Sequence, residues 1–375
     1  MTTTIENGEI ITTIDKTVKL TNQFSKDNIF INLKLKGNKI TAVKLNGKFC
    51  NCENIETNFE AISWKDSLNR IGNYLIPYPI HYNYTYVKGI EKLLKNPPEI
   101  SSRVKYLRTI ILELERILYH LNDLGVLFYG ISYPIMYRTV MLLRDKIQDQ
   151  IQNLSANESK FKSIIQVGGI SIKDDENNLN DVIQLLFSVE NKITKLIHTL
   201  QRNSILNSIL KDIGFISRET AKKLSIVGPF SRSAGIANDV RKTDPYAAYN
   251  EIDFIVPVSD FCDVLGEVIV KCDEIIQSSK IIKQAIHNLP SGELSPIEID
   301  YTMSVNSTIV RTETPSGELF VYLHSKEGDW NELPRIIRIT TPLKVNTQGI
   351  LSRITGESLD NLAIILQVIG EGWIG

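Results

Sequence analysis

The sequence predicts an α+β protein that is predominantly helical, with a central bundle of long helices and small β elements at the N- and C-terminal ends. Three observations predict it. Apolar residues recur at three- and four-residue spacing in three separate stretches between about residues 102 and 290. Alternating apolar positions flank a tight turn within 28–48, and a second strand pair flanks the Pro-Ser-Gly turn at 315–317. No internal repeat or low-complexity linker interrupts the chain.

The elements follow in order. Ile31, Leu33 and Leu35 alternate with polar residues, Gly37-Asn38 supplies a turn, and Ile40, Val43 and Leu45 return, which is a β-hairpin. In the stretch 69–94, Tyr74, Tyr78, Tyr82, Tyr84 and Tyr86 all lie an even number of residues apart, with His81 among them. A tyrosine pairs an apolar ring with a hydrogen-bonding tip, so the stretch suits an interface or a pocket for a planar ligand. It equally suits an amphipathic strand or the start of a helix, and composition leaves both open.

Leu107, Ile110, Leu114, Ile117, Leu121, Leu124 and Phe128 then mark one face of a long helix. Val182, Leu185, Val189, Ile193, Leu196 and Leu200 mark a second. Leu265, Val268, Cys272, Ile275, Ser279, Ile282 and Ile286 mark a third, stopped by "LPSG" at 289–292. Three such stripes cannot each be buried alone, so the helices should pack together. After residue 300, "STIVRTETPSGELFVYLHS" reads as two strands and "PRIIRITTP" as a third. The expected division is an N-terminal α+β part at 1–65 and a larger domain at 66–375. Within the latter the bundle occupies 102–290 and a β-containing part 300–375.

A formal net charge of −1 over 375 residues leaves no basic excess for phosphates, which argues against a nucleic-acid partner. No apolar run approaches the roughly 20 residues of a spanning helix, and "MTTTIENGEIITTIDKTVKL" lacks the pattern of a secretory signal. A soluble or peripheral protein is expected. Cys50, Cys52, Cys262 and Cys272 fit neither a zinc nor an iron–sulfur pattern, so reduced structural thiols in a cytoplasmic compartment are expected. Phosphate-loop, dinucleotide-fingerprint, zinc-protease and serine-hydrolase motifs are absent.

Two features carry possible chemistry. Glu113, Arg116 and His120 share a helix face, and spacing alone favours a solvated ion pair over a contact to a buried cofactor of a partner. "GPFSRSAGIANDVRKTDPYAAYNEIDFIVPV", residues 228–258, mixes turn formers, aromatics and opposite charges without periodicity. It is either a functional lining or a rigid clasp.

That segment also carries a resemblance. "GPFSRSAGI", "DVRKTDPYAAYNEIDFIVPV", "LRTIILELERILYHLNDLG", "IIQVGGI" and "TETPSGELFVYLHS" occur in the order found in one large-subunit family. The chain resembles the D-type (49-kDa-type), quinone-site subunit of respiratory complex I and the large subunit of membrane-bound NiFe hydrogenases, over roughly residues 69 to 375. The resemblance implies a hydrogenase-large-subunit-like fold, a small iron–sulfur partner subunit, membrane-arm partners and a peripheral place on the cytoplasmic side of the cell membrane.

Departures from the family pattern sharpen the expectation. Hydrogenases of this family bind nickel through two C-x-x-C pairs, and the matching positions here hold Gly72, Leu75, Gly372 and Gly375. No NiFe centre is therefore expected in this chain. The resemblance then points to electron transfer from a partner's iron–sulfur cluster to a quinone-like acceptor. It places Arg70 near the cluster, where Arg70 and His120 would stabilise negative charge. The acceptor-side Tyr it expects falls on Asn73 without a gap or on Tyr74 with a one-residue shift, so Tyr74, Tyr78 or His81 would donate a hydrogen bond and a proton to the acceptor. The family's quinone-binding His near the N-terminus and its Asp partner after the first long helix have no counterpart. Gln166 and Glu267 stand where the family carries Arg. A second reading, a non-catalytic structural paralogue that holds such a complex together, follows from these losses. Because 228–258 keeps the family pattern where the chemistry does not, it is read as the clasp.

Overall fold

A computed structural model of the chain describes residues 2–6, 9–22, 28–47, 52–74, 77–156, 164–173, 175–295, 298–370 and 373–374. The chain opens with strands β1 (Thr2–Glu6), β2 (Glu9–Asn22), β3 (Asn28–Lys36) and β4 (Lys39–Asn46), paired antiparallel in that order. Ile31, Leu33 and Leu35 of β3 are buried, and the turn at Gly37-Asn38 delivers Ile40 to the same face. The predicted hairpin is thus present as part of a larger sheet. Three helices follow, α1 (Cys52–Glu60), α2 (Trp64–Tyr74) and α3 (Pro79–Leu93).

The ambiguous tyrosine stretch is therefore helical. Pro79 opens α3, where its missing N–H costs nothing. Even tyrosine spacing is compatible with a helix because α3 is buried on nearly every side. Tyr86 packs near Phe59 and Trp64, while Tyr84 lies 5.4 Å from Tyr246.

The long helices are α4 (Ser102–Gly130), α5 (Pro134–Leu154), α6 (Glu176–Arg202) and, after the shorter ones, α11 (Val264–His287). All three apolar stripes fall on helices, and α4 packs against both α5 and α11, as α6 does. Helix α5 is the long helix that periodicity does not reveal, because its start lies in an apolar stretch broken by turn residues. Ser132, at φ +56°, turns the chain back there and Pro134 restarts it. Strands β5 (Ile165–Gln166) and β6 (Gly169–Ile170) form a small hairpin between α5 and α6. Short helices α7 (Ser204–Leu210), α8 (Arg218–Lys223), α9 (Gly228–Arg232) and α10 (Val240–Thr243) lead to α11.

Past α11 come β7 (Thr302–Met303), β8 (Ser307–Thr314), β9 (Gly317–His324), β10 (Gly328–Asp329) and β11 (Ile336–Thr340), then α12 (Pro342–Ile354), α13 (Leu362–Ile369) and β12 (Trp373–Ile374). Strands β8, β9 and β11 form one antiparallel sheet under α3, and β12 returns to pair with β2. Among the described residues no helix is long and apolar enough to cross a membrane.

The segment 228–258 comprises α9, α10 and an extended run. It is tied down by its own backbone, with Ser259 N–H donating to Arg232 O and Cys262 N–H to Ser233 O, each at 2.9 Å. Gly228, at φ +75°, lies directly against the turn between β8 and β9, where Gly317 adopts φ +128°.

Candidate functional site

A continuous polar seam runs through the apolar interior between α4 and α11. From α4 come Glu113, Arg116, His120 and Asp123, spaced by three or four residues so that they line one face. From α11, running the opposite way, come Ser278, Glu274, Lys271 and Glu267. His120 Nε2 meets Glu274 Oε2 at 2.8 Å, and Lys271 Nζ meets Asp123 Oδ2 at 3.0 Å. The expected solvated ion pair at Glu113, Arg116 and His120 is overturned, for all three are 0% exposed. Spacing within one helix could not show that partners from α11 and the clasp cover this face.

The clasp supplies those partners. Arg241 grips Glu113 at 3.0 and 3.1 Å and Asp239 at 2.6 Å, while the Tyr249 hydroxyl donates to Glu113 at 2.5 Å. Arg232 donates through Nε to Glu274 at 2.6 Å and through Nη1 to Glu313 of β8 at 2.9 Å. Arg116 donates to the backbone carbonyls of Glu313 and Thr314. Charges this deeply buried persist only when paired and hydrogen-bonded.

The pairing sets the protonation of the seam. Burial pushes Glu113 up, but Arg116 and Arg241 outweigh it and hold its pKa at about 2. Burial likewise opposes Glu274, and Arg232 with His120 keeps it well below the carboxylate range. Burial pulls His120 below its ordinary value despite Glu274, so it is neutral at pH 7. Arg116, Arg232 and Arg241 then face Glu113, Asp239, Glu274 and Glu313, one carboxylate too many. Burial first, and Asp239 second, push Glu313 up to about 7 against the pull of Arg232.

These shifts act on stability in opposite directions. Glu113 is depressed in the fold, so its contribution is complete above the unfolded carboxylate pKa and is lost as pH falls toward 2. Glu313 is raised, so its contribution is complete below the unfolded value and is lost as pH rises through about 7. Glu313→Gln keeps the shape without the charge. It is expected to match the wild type at pH 4 and exceed its stability at pH 8, as read by urea denaturation at both pH values.

A second group lies at the N-terminus of α3. The Glu115 carboxylate accepts the backbone N–H groups of Ile80 and His81, each at 2.8 Å, and lies 2.5 Å from His81 Nδ1. An acceptor carboxylate places the proton on Nδ1, so Nε2 carries the lone pair. Nε2 has no partner among the described residues, and burial, outweighing Glu115, lowers the pKa of the ring. Tyr78, the residue before α3, stands edge-on to Tyr119 at 4.9 Å and shares a hydrogen bond with the Ser316 hydroxyl in the β8–β9 turn.

Between α9, α11, α12 and that turn lies a narrow cleft of about 20 Å³, room for a water molecule and little more, lined in part by Phe230, Glu267, Lys271, Ser316, Arg353 and Ile369. Glu267, where the resemblance expects Arg, is answered by Arg353 Nη1 at 2.8 Å.

The site residues expected from sequence fall in different places. Tyr78 and His81 are buried at the start of α3, and His120 is buried in the seam. Arg70 is exposed on α2, and among the described residues no contact joins it to His120. The side chain of Tyr74 lies outside the described residues, as do Leu75, Gly372 and Gly375. Sequence reasoning missed Glu115, Lys271, Glu274 and Glu313. Their one signal is a charged residue inside an otherwise apolar helix face or strand.

The family of the respiratory-chain NADH dehydrogenase 49-kDa subunit matches residues 130–304. The chain is 31% identical over 272 residues to the D-type subunit of NADH-quinone oxidoreductase from Thermosipho melanesiensis, a match covering 71% of this chain and 70% of that one. The chain belongs to the 49-kDa subunit family. The corresponding chain of Rickettsia prowazekii is 26% identical over 342 residues, 84% of each chain. Among solved structures, a chain of the membrane-bound sulfane sulfur reductase, an archaeal respiratory membrane complex, shares the fold. Its TM-score is 0.85 at 22% identity, covering 95% of this chain and 96% of that one. In this 49-kDa-type chain the matched span 130–304 takes in the clasp and α11, while Glu113, Arg116, His120 and Asp123 of the seam precede it and Glu313 follows it.

Proposed function

We propose that this chain is a nickel-free electron-transfer subunit of a membrane-bound, complex I-like or energy-converting hydrogenase-like complex. It stands beside a small iron–sulfur subunit and membrane-arm subunits, peripheral on the cytoplasmic side, and its fold is of the hydrogenase-large-subunit kind. The observation that carries the reading is family membership joined to a preorganised His81, buried, neutral and held through Nδ1 with Nε2 unpartnered among the described residues. Electrons pass from a partner's iron–sulfur cluster to a quinone or related acceptor.

Reducing a quinone to a quinol consumes two electrons and two protons. Tyr74, Tyr78 and His81 are assigned to the acceptor's carbonyls, the tyrosines as donors and His81 as a proton relay at Nε2. Arg70 and His120 are assigned to the cluster side. There Arg70 offers fixed charge, and neutral His120 gains proton affinity as negative charge arrives. A NiFe centre does not fit the residues present. The four positions that would supply thiolates hold three glycines and a leucine, which carry no donor atom, so no step runs through nickel.

The experiment is reduction of a soluble quinone analogue by the intact complex carrying Tyr78→Phe or His81→Gln. Loss of a positioned acid–base group is expected to slow turnover on the order of 10²-fold.

A further inference from the structure

The N-terminal sheet turns one face inward and leaves the other in solvent. Register places Lys19, Phe30 and Asn46 in one cross-strand row of the outer face, then Thr17, Asn32 and Lys44, then Asp15, Lys34 and Ala42, with Lys36 and Lys39 closing it. Lysines thus dominate this face, and Asp15 is the one carboxylate in these rows. Lys19, Lys34 and Lys44 are exposed and make no ion pair among the described residues, and Phe30 is 40% exposed in their midst. The middle rows floor a concavity of about 360 Å³. The whole chain carries a net charge of −1, so this basic face is a local concentration of charge, not a property of the composition.

We infer that this groove docks an extended, carboxylate-rich segment of a partner protein. Like-charged lysines held side by side repel one another, and a polyanionic partner relieves that repulsion while steering its own approach. The groove is recessed, which suits a single extended strand of polypeptide better than a flat bilayer. It also contains no arginine: every basic residue before Arg70 is lysine. Arginine's planar fork matches phosphate bidentately, whereas lysine ammonium groups act as point charges that accept carboxylates at varied spacing. This inference concerns a surface apart from the seam and the α3 site.

The test is fluorescence anisotropy of a labelled oligo-glutamate peptide titrated with the full chain. Binding is expected at low salt, weakening on the order of tenfold as ionic strength rises to where charges beyond about 8 Å are screened. Lys34→Glu with Lys44→Glu should weaken it on the order of tenfold or more without changing the thermal midpoint. Lys192→Glu with Lys195→Glu, on exposed positions of α6, should leave it unchanged. Absence of binding, or equal loss in the α6 control, overturns the inference. So does tighter, Lys34-dependent binding to phosphatidylglycerol vesicles or to single-stranded DNA, and so does a self-association that Lys34→Glu abolishes. Because no complex and no turnover enter the assay, its failure leaves the proposed electron-transfer role standing, and the reverse.

Discussion

Replacing Arg232 by methionine is expected to cost the fold about 3–5 kcal/mol, the range for breaking a buried charge network by removing one partner. Arg232 is 0% exposed and joins three elements: Nε holds Glu274 of α11, and Nη1 holds Glu313 of β8 and the carbonyl of Asn238. Without it, two buried carboxylates lose their nearest countercharge while α9 loses its anchor. Lysine is no substitute, since one ammonium cannot reproduce a planar fork that addresses three acceptors. Arg232→Met combined with Glu274→Met should recover part of the loss, because an apolar pair is tolerated where an unpaired charge is not. Urea denaturation of the three proteins measures this. A single-variant loss below about 1 kcal/mol, the range of exposed pairs, would contradict the seam as a buried network.

Gly228→Ala is expected to be as severe, for a different reason. A Cβ at residue 228 would stand 1.9 Å from the carbonyl oxygen of Ser316 and 2.9 Å from Gly317 Cα. Those are backbone atoms, so no side-chain rotation relieves the overlap, and φ +75° is already unfavourable for alanine. The β8–β9 turn must move, taking Ser316 from Tyr78 and Glu313 from Arg232. Gly356 provides the control, with φ +97° but open space around it. Gly356→Ala should lose only the roughly 1–2 kcal/mol of the left-handed conformation itself. If the two variants show equal thermal shifts, the close approach of clasp and turn is not what Gly228 serves.

The sequence made some of this legible. Periodicity revealed α4, α6 and α11 because each keeps its apolar residues at three- and four-residue spacing, on α6 against an exposed face and on α4 and α11 beside the charged residues of the buried seam. It failed for α3, whose burial on nearly all sides erases the period, and for α5, where Gly130, Ser132 and Pro134 disguised two helices as one interrupted apolar run. Turn residues revealed the two hairpins. The motif order revealed the family, and 228–258 reads as a clasp in the structure, since Arg232, Asp239 and Arg241 face other protein groups. The seam was the harder part. Glu113, Arg116 and His120 were visible as a face, but their burial depends on residues more than 100 positions away, such as Arg241 and Glu274. One-helix spacing carries no information about such partners. Glu115 was passed over because its work, capping α3 and fixing His81, is done in another element.

The most direct measurement is quinone-analogue turnover by the intact complex carrying His81→Gln, normalised to assembled complex. Glutamine retains a polar side chain but neither the Nδ1 contact to Glu115 nor a titratable Nε2. The proposed role predicts a fully assembled complex with turnover reduced on the order of 10²-fold. Unchanged turnover in an assembled complex would contradict it and leave the chain a scaffold.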